Sequence, residues 1–426
     1  MKVLVLGGGG REHALVKALN RSALEPELFC APGNPGIARE ATCLGELDPL
    51  DLDAVVETAR DLDVDLVVPG PEAPLVAGVV DRLAEAGIPA FGPTAGAARL
   101  EGSKSFAKEA MLEAGVPTAS YDLTATREEA LEALAGAAFP LVVKADGLAA
   151  GKGVMICADE AEARAAVDAI FEEKRFGDTE VLLEEYLDGE ELSLLAICDG
   201  VRAIPLAPAQ DYKRIGDGDS GPNTGGMGSY SPVLGTGPEE VAELSRLVHQ
   251  PIVDLMAERG HPFHGVLYAG LMMTGDGPRV LEYNTRFGDP ETQAVLPRLE
   301  TDLLELFQAA TEPGGLEGTE VSFSNDWAVT VVLASAGYPA SSSSGDLITG
   351  LEEAAGAAEV VHAGTAERDG QIYTAGGRVL NLTGMGPDPA AARGRAYEAA
   401  GMVEFEGKQM RSDIALRAEE GFGPGD

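Results

Sequence analysis

Phe139-Pro140-Leu141-Val142-Val143-Lys144-Ala145-Asp146-Gly147-Leu148-Ala149-Ala150-Gly151-Lys152-Gly153-Val154-Met155-Ile156-Cys157 is the stretch on which the fold turns. Phe139 to Lys144 reads as a strand, Asp146 to Gly153 as a glycine-rich loop, and Val154 to Cys157 as a second strand. Glycines let a backbone close over phosphate oxygens, and a lysine at a strand end supplies fixed charge. The loop is not a Walker A motif. Gly151-Lys152 is followed by Gly153 instead of Ser or Thr, and a strand follows where a P-loop needs a helix. A phosphate-covering hairpin and a plain flexible hairpin both fit these residues.

Around this hairpin the spacing predicts a compact α/β module. A helix over Ser103 to Ala114 stops at Gly115 with Pro117 beyond it. A second helix covers Glu160 to Phe171, and a strand Val181 to Glu185. Upstream, Lys2 to Leu6 is a strand that runs into Gly7-Gly8-Gly9-Gly10 and a helix from Glu12 to Leu19. The strands Leu28 to Cys30 and Leu66 to Val68 end in Pro32-Gly33-Asn34-Pro35-Gly36 and Pro69-Gly70-Pro71-Glu72. With helices over Asp51 to Asp61 and Leu75 to Ala86, these make an open parallel-sheet α/β domain of about the first hundred residues. Downstream come a polar loop from Asp211 to Ser231, a helix from Pro238 to Arg259, and strands Gly265 to Thr274 and Pro278 to Tyr283. Ala328 to Leu333 opens a last α+β domain.

The chain has 31 basic and 70 acidic residues, a net charge of −39. An acidic coat repels nucleic-acid phosphates and anionic membranes, so neither is expected as a partner. Lysine is scarce, yet Lys104, Lys144, Lys152 and Lys213 fall in or beside glycine-rich stretches, where a compact cation suits phosphate. Cys30, Cys43, Cys157 and Cys198 are far apart and form no CxxC pair, which fits a reducing cytoplasm and argues against a zinc site. No basic-plus-apolar leader and no membrane-length apolar run is present, so a soluble cytoplasmic protein is expected.

Four further stretches carry chemistry. The quadruple glycine lacks the third glycine of a dinucleotide fingerprint, because Arg11 and Glu12 stand there. It can offer N–H groups to a phosphate at a helix start, or serve only as a tight strand–helix turn. Leu183-Glu184-Glu185-Tyr186-Leu187 through Glu191 can offer a carboxylate to an adenine amino group, backbone to the ring edge, and a later acid to ribose; a solvated turn fits equally. Glu282 and Asn284, two apart on a strand, point to one face as hard oxygen donors for Mg²⁺, and Arg286 shares that face. An amphipathic edge strand is the other reading. The loop from Gln210 to Gly228 is so polar and glycine-rich that it reads as either functional or disordered, and its paired basic residues and interior Met227 favour function. His249, His261, His264 and His362 show no metal spacing and read as structural, while His13 is open between a helix-start role and a substrate contact.

Taken in order, VLVLGGGGREHAL, APGNPG, GPEAPLVAG, FGPTAGAARLEGSK, KADGLAAGKGV, EEYLDGEE, DGDSGPNTGGMGSYSP, LYAGLM and RFGDPETQ make the chain resemble the phosphoribosylamine–glycine ligase family of the ATP-grasp superfamily. The resemblance spans essentially the whole length. It implies an N-terminal domain (1–100), an ATP-grasp core (101–117 and 190–327), a small ATP-grasp lid (118–189) and a C-terminal domain (328–426). It implies ligation of glycine to 5-phosphoribosylamine through glycyl phosphate, with ATP as co-substrate and Mg²⁺ or Mn²⁺, in a monomer. By position, Lys104, Lys144, Gly147, Gly151, Lys152 and Gly153 would hold ATP phosphates. Glu184 and Leu187 would meet adenine, and Glu191 ribose. Glu282 and Asn284 would bind the metal. Lys144, Lys213 and Arg286 would act in catalysis. Gly8, Gly9, Gly10, Asn34 and Glu72 would face phosphoribosylamine, with Asp211, Lys213, Asn223, Thr224, Gly225 and Gly226 near the reacting ends. Two departures stand out. The strand Tyr268 to Met272 lacks the extra acid many ATP-grasp enzymes place there, and Tyr212 replaces a histidine in the family's QDHKR string.

Overall fold

Every residue of Val3 to Leu6 is apolar, and alternate ones point to opposite faces of the sheet they form. Val3 and Val5 join one core with Leu28 and Cys30, while Leu4 and Leu6 join another with Phe29 and Val67. A strand buried on both faces belongs in a parallel sheet covered by helices. In the computed structural model, which describes residues 1–148 and 153–422, that is what forms. Strands β1 (Lys2–Gly7), β2 (Glu27–Pro32), β3 (Thr42–Cys43) and β4 (Leu66–Pro69) lie parallel in the order β3-β2-β1-β4. The helix expected over Leu75 to Ala86 is two helices, Glu72–Val76 and Val79–Glu85, because Gly78 takes a left-handed φ of 90° between them.

The lid is an antiparallel sheet of β5 (Tyr121–Thr124), β6 (Leu141–Ala145), β7 (Val154–Cys157) and β8 (Val181–Glu185), in the order β5-β8-β6-β7. Helices Arg127–Leu134 and Glu160–Phe171 cover one face. Leu134, Leu141, Val143, Val167, Ile170 and Val181 give this unit its own core. Both helices start on a side-chain cap, Thr126 to the Glu129 N–H and Asp159 to the Glu162 N–H, each stabilising by about 1 kcal/mol.

The chain then forms β9 (Glu190–Asp199) and β10 (Ala203–Pro205), four short strands, and the long pair β15 (His264–Thr274) and β16 (Gly277–Asn284). The short strands are β11 (Gln210–Asp211), β12 (Arg214–Gly216), β13 (Ser220–Asn223) and β14 (Gly228–Ser231). The core sheet runs β10-β9-β15-β16 and is antiparallel. Asp211 to Ser231 is therefore not the open loop its composition predicts. Its strands are too short for a period-two pattern to register. The last domain adds β17 (Trp327–Ala334), β18 (Glu359–His362), β19 (Thr365–Arg368), β20 (Gln371–Thr374) and β21 (Arg378–Gly386). Its main sheet is β11-β14-β17-β21-β18, so residues expected in the core pair with the C-terminal domain instead. The single helix expected from Pro238 to Arg259 is two, Pro238–Val248 and Gln250–Glu258. Pro251 at the second helix start has no N–H to continue the first. No helix among the described residues is long and apolar enough to cross a membrane.

Candidate active site

The lid and the core meet at a set of lysines. Ser103 caps the helix Lys104–Glu113, so Lys104 stands at its first turn and reaches across to the lid. Its Nζ donates to the carbonyls of Ala145 (2.9 Å) and Gly147 (2.7 Å). Asp146 answers from the lid, accepting the Ser105 hydroxyl at 2.7 Å and the Lys104 N–H. Lys144, at the end of β6, donates to Glu184 on β8 at 2.8 Å and to the Leu281 carbonyl of β16 at 3.3 Å. A cavity of about 90 Å³ is lined by Lys104, Lys144, Glu282, Asn284 and Arg286 together. Adjoining it through shared residues is a cleft of about 750 Å³, bounded by Leu187, Glu191, Asp211, Lys213, Asn223, Thr224 and Gly225. That size suits a nucleotide. Gly153 follows the hairpin loop and is buried. Gly151 and Lys152 lie outside the described residues.

Charge in the cleft is arranged around Glu282. Burial pushes its carboxyl up, but Lys213, Lys144, Lys104 and Arg286 outweigh that and hold it below the ordinary range. Glu282 and Asn284 pair in register with Gly270 and Tyr268 of β15. Two oxygen donors on one face, with phosphate and water to complete the shell, are what Mg²⁺ usually takes from a protein. Among the described residues no cluster of three or more His, Cys, Asp or Glu forms an all-protein metal cage. Lys213, half-buried, pairs with Glu191 at 2.6 Å, and the surrounding carboxylates outweigh its desolvation and hold it well above its usual range. Asp211 is pushed up by burial, against the pull of Lys213 and with further repulsion from Glu291, Glu191 and Glu282.

Arg286 is fixed by two acids, of which the sequence singles out Glu72 but not Glu101. Its Nη2 lies 2.8 Å from Glu101 and donates to the Asn284 Oδ1 at 3.1 Å, and its Nε lies 3.4 Å from Glu72. Glu101 also accepts the Thr285 N–H at 2.7 Å. Glu291 supplies an acid to the cleft where β15 offers Tyr268, whose hydroxyl donates to it. Lys108 was likewise passed over, although it stands one helical turn after Lys104.

Comparison with known proteins accounts for this arrangement. The family models for phosphoribosylglycinamide synthetase match as an N domain over residues 1–101, an ATP-grasp domain over 102–292 and a C domain over 328–417. The chain belongs to the phosphoribosylglycinamide synthetase family. It is 51% identical to the phosphoribosylamine–glycine ligase of Streptomyces coelicolor over 98% of its own length and 99% of that protein. Against the Brucella melitensis phosphoribosylamine–glycine ligase it is 49% identical, over 99% of each chain. The crystal structure of the Thermotoga maritima phosphoribosylamine–glycine ligase superposes with a TM-score of 0.84 at 36% identity, covering 97% of this chain and all of that one. A biotin carboxylase complex from Campylobacter jejuni, at 17% identity, shares the fold alone, with a TM-score of 0.70 over 96% of this chain and 92% of that one.

In this synthetase chain the N-terminal glycines are used differently from the expected phosphate cradle. The helix Gly10–Leu19 already has an anion at its start. The Glu12 carboxylate accepts the Gly9 N–H at 2.7 Å and is gripped by Arg11 at 2.6 Å. A Cβ on Gly8 would sit 2.5 Å from the Gly33 carbonyl, and one on Gly10 2.5 Å from the Asn381 amide and 2.7 Å from that of Gln293. Close packing at Gly8 and Gly10 and the self-made cap at Gly9 account for glycine at these positions without a substrate. Asn34 is likewise held within the chain. Its amide donates to the Gly8 and His362 carbonyls and accepts the Gly36 and Ile37 N–H groups, which uses up its bonding capacity. His13 takes the structural option, its Nδ1 accepting the His362 N–H at 2.8 Å. Of the last loop, Asn223, Thr224 and Gly225 line the cleft, while Gly226 packs against Pro290 with φ 106°. The Tyr212 hydroxyl accepts the Ala415 N–H and stays within the chain.

Proposed function

We propose that this chain joins glycine to 5-phosphoribosylamine at the expense of ATP, giving glycinamide ribonucleotide, ADP and phosphate for purine biosynthesis. A carboxylate is a poor electrophile. One oxygen of glycine's carboxylate attacks the γ-phosphorus and ADP leaves; the amine of phosphoribosylamine then attacks the glycyl carbon. Phosphate departs with that carboxylate oxygen, and the nitrogen loses a proton to give the amide. Lys104 and Lys144, with the hairpin as far as Gly153, bind the phosphates. Arg286 and Lys213 face the transferring phosphoryl group and the carboxylate. Leu187 pairs its backbone with the purine edge, and Glu191 holds ribose. Glu72, Asp211 and the Asn223 to Gly225 segment lie nearest the amine.

Glu184 supports the adenine assignment. One of its oxygens is held by lysines, while Oε1 is buried with no partner among the described residues, as an acceptor waiting for an amino group would be. Ile156 and Tyr186, both substantially exposed, line the same cleft and offer apolar faces to the ring. Glu282 and Asn284 would hold Mg²⁺ or Mn²⁺, which when bound would neutralise phosphate charge. The lid's separate core lets it move as a body and shut out the water that would hydrolyse an acyl phosphate.

The observation that carries the reading is the shared cavity of Lys104, Lys144, Glu282, Asn284 and Arg286. Phosphate release should require ATP, Mg²⁺, glycine and phosphoribosylamine together. Equal or faster release with another amine in place of phosphoribosylamine would reject the substrate assignment.

A further inference from the structure

Lys108 is buried, 2% exposed. It donates to the Thr118 hydroxyl at 2.8 Å and to the Ala119 carbonyl at 3.3 Å, and its Nζ lies 3.2 Å from Glu184. An ammonium has three donors, so all of its capacity is taken up inside the chain. Thr118 in turn donates to the Val280 carbonyl of β16 at 2.7 Å, which ties the lysine to the strand that carries Glu282. Lys144 shares the same Glu184 oxygen and, among the described residues, makes only one other bond, to Leu281. The two lysines are therefore not equivalent. One is fixed, and the other has capacity left for a phosphate.

We propose that Lys108 is a positioning residue for base recognition, the standing counter-ion that holds Glu184 with its free oxygen toward the 6-amino group of the purine. When Lys144 turns to the ATP phosphates, Lys108 keeps Glu184 from becoming a buried carboxylate with no partner, an arrangement that costs several kcal/mol. The environment agrees with a strained, committed cation: burial pushes the ammonium down to about 8, against the pull of Glu184. This inference rests on the reading that Glu184 meets adenine, so its test separates the two.

The full chain is assayed with ATP and with ITP, a 6-oxopurine triphosphate lacking the amino group, as wild type, Lys108→Met, Lys108→Arg and Glu184→Gln. Lys108→Met should raise KM for ATP about tenfold, hold kcat within about threefold, and cut the preference for ATP over ITP about tenfold, with Lys108→Arg recovering much of it. A mere staple between helix and lid would lower the melting temperature and leave the base preference alone, and that result overturns the inference. If Glu184→Gln changes the preference and Lys108→Met does not, Lys108 is wrongly assigned and the adenine reading stands. If Glu184→Gln leaves it unchanged, the adenine reading fails first. Should Lys108→Met not fold, the double variant with Glu184→Gln should restore folding, since it leaves no buried carboxylate without a counter-ion; a double variant that also fails to fold rejects the pairing.

Discussion

Two glycine-rich stretches of this molecule resemble each other in sequence, Gly7 to Gly10 and Asp146 to Gly153, and each adjoins a crevice. At the first, the chain fills the anion position itself. Glu12 takes the Gly9 N–H, Arg11 grips Glu12, and the side-chain amides of Asn381 and Gln293 press onto Gly10. At the second, Lys104, Lys144 and Arg286 surround Glu282 with positive charge and border open space. Glycine alone says only that backbones come close. A ligand is indicated where cations retain bonding capacity beside a cavity, and packing where the chain has used that capacity itself.

The largest effect should follow from Glu282→Ala. Phosphate release should fall by at least about a hundredfold while circular dichroism stays native, because the donor facing four cations is lost. Near-normal turnover would remove the contrast between the crevices. Lys144→Met should weaken ADP binding about tenfold or more by calorimetry, the worth of a charged hydrogen bond. Changes on the other side should act on stability. Gly10→Ala puts a methyl against Asn381 and Gln293 and should cost roughly 1–3 kcal/mol in urea unfolding, with ADP affinity unchanged.

The smallest effect is a pH dependence on the glycine-turn side. Burial, with His13, Arg39 and Lys17 nearby, pushes the His362 imidazole down to about 3. Its folded value lies below its unfolded one, so the unfolded chain binds more protons as the solution is acidified. Stability contributed by neutral His362 is complete above pH 6.5 and declines from there toward 3. Between pH 7 and 5 about 2 kcal/mol should be lost from this group, and His362→Gln should flatten that part of the curve in thermal scans.

The nucleotide side was legible because its signals are local. Glu282 and Asn284 are two apart on one strand, and lysines are rare enough in so acidic a chain that Lys104 and Lys144 carry weight. Glu101 and Lys108 were not, since nothing in their neighbourhoods tells which acid or which lysine will be buried against a partner far away in sequence. The internal bonds of Asn34 were hidden for a related reason: nothing in a glycine loop tells that the carbonyl of His362, distant in sequence, will accept its amide. The two-residue strands at Gln210–Asp211 and the helix break at Pro251 show the same division between what short patterns record and what tertiary pairing decides.

Oxygen-18 in the carboxylate of glycine tests the central claim most directly. If the cleft activates that carboxylate by phosphorylation, each inorganic phosphate released in a complete turnover carries one labelled oxygen, read by mass spectrometry. Phosphate free of label, formed alongside labelled glycinamide ribonucleotide, would show that the γ-phosphoryl group never reached glycine and would contradict the account.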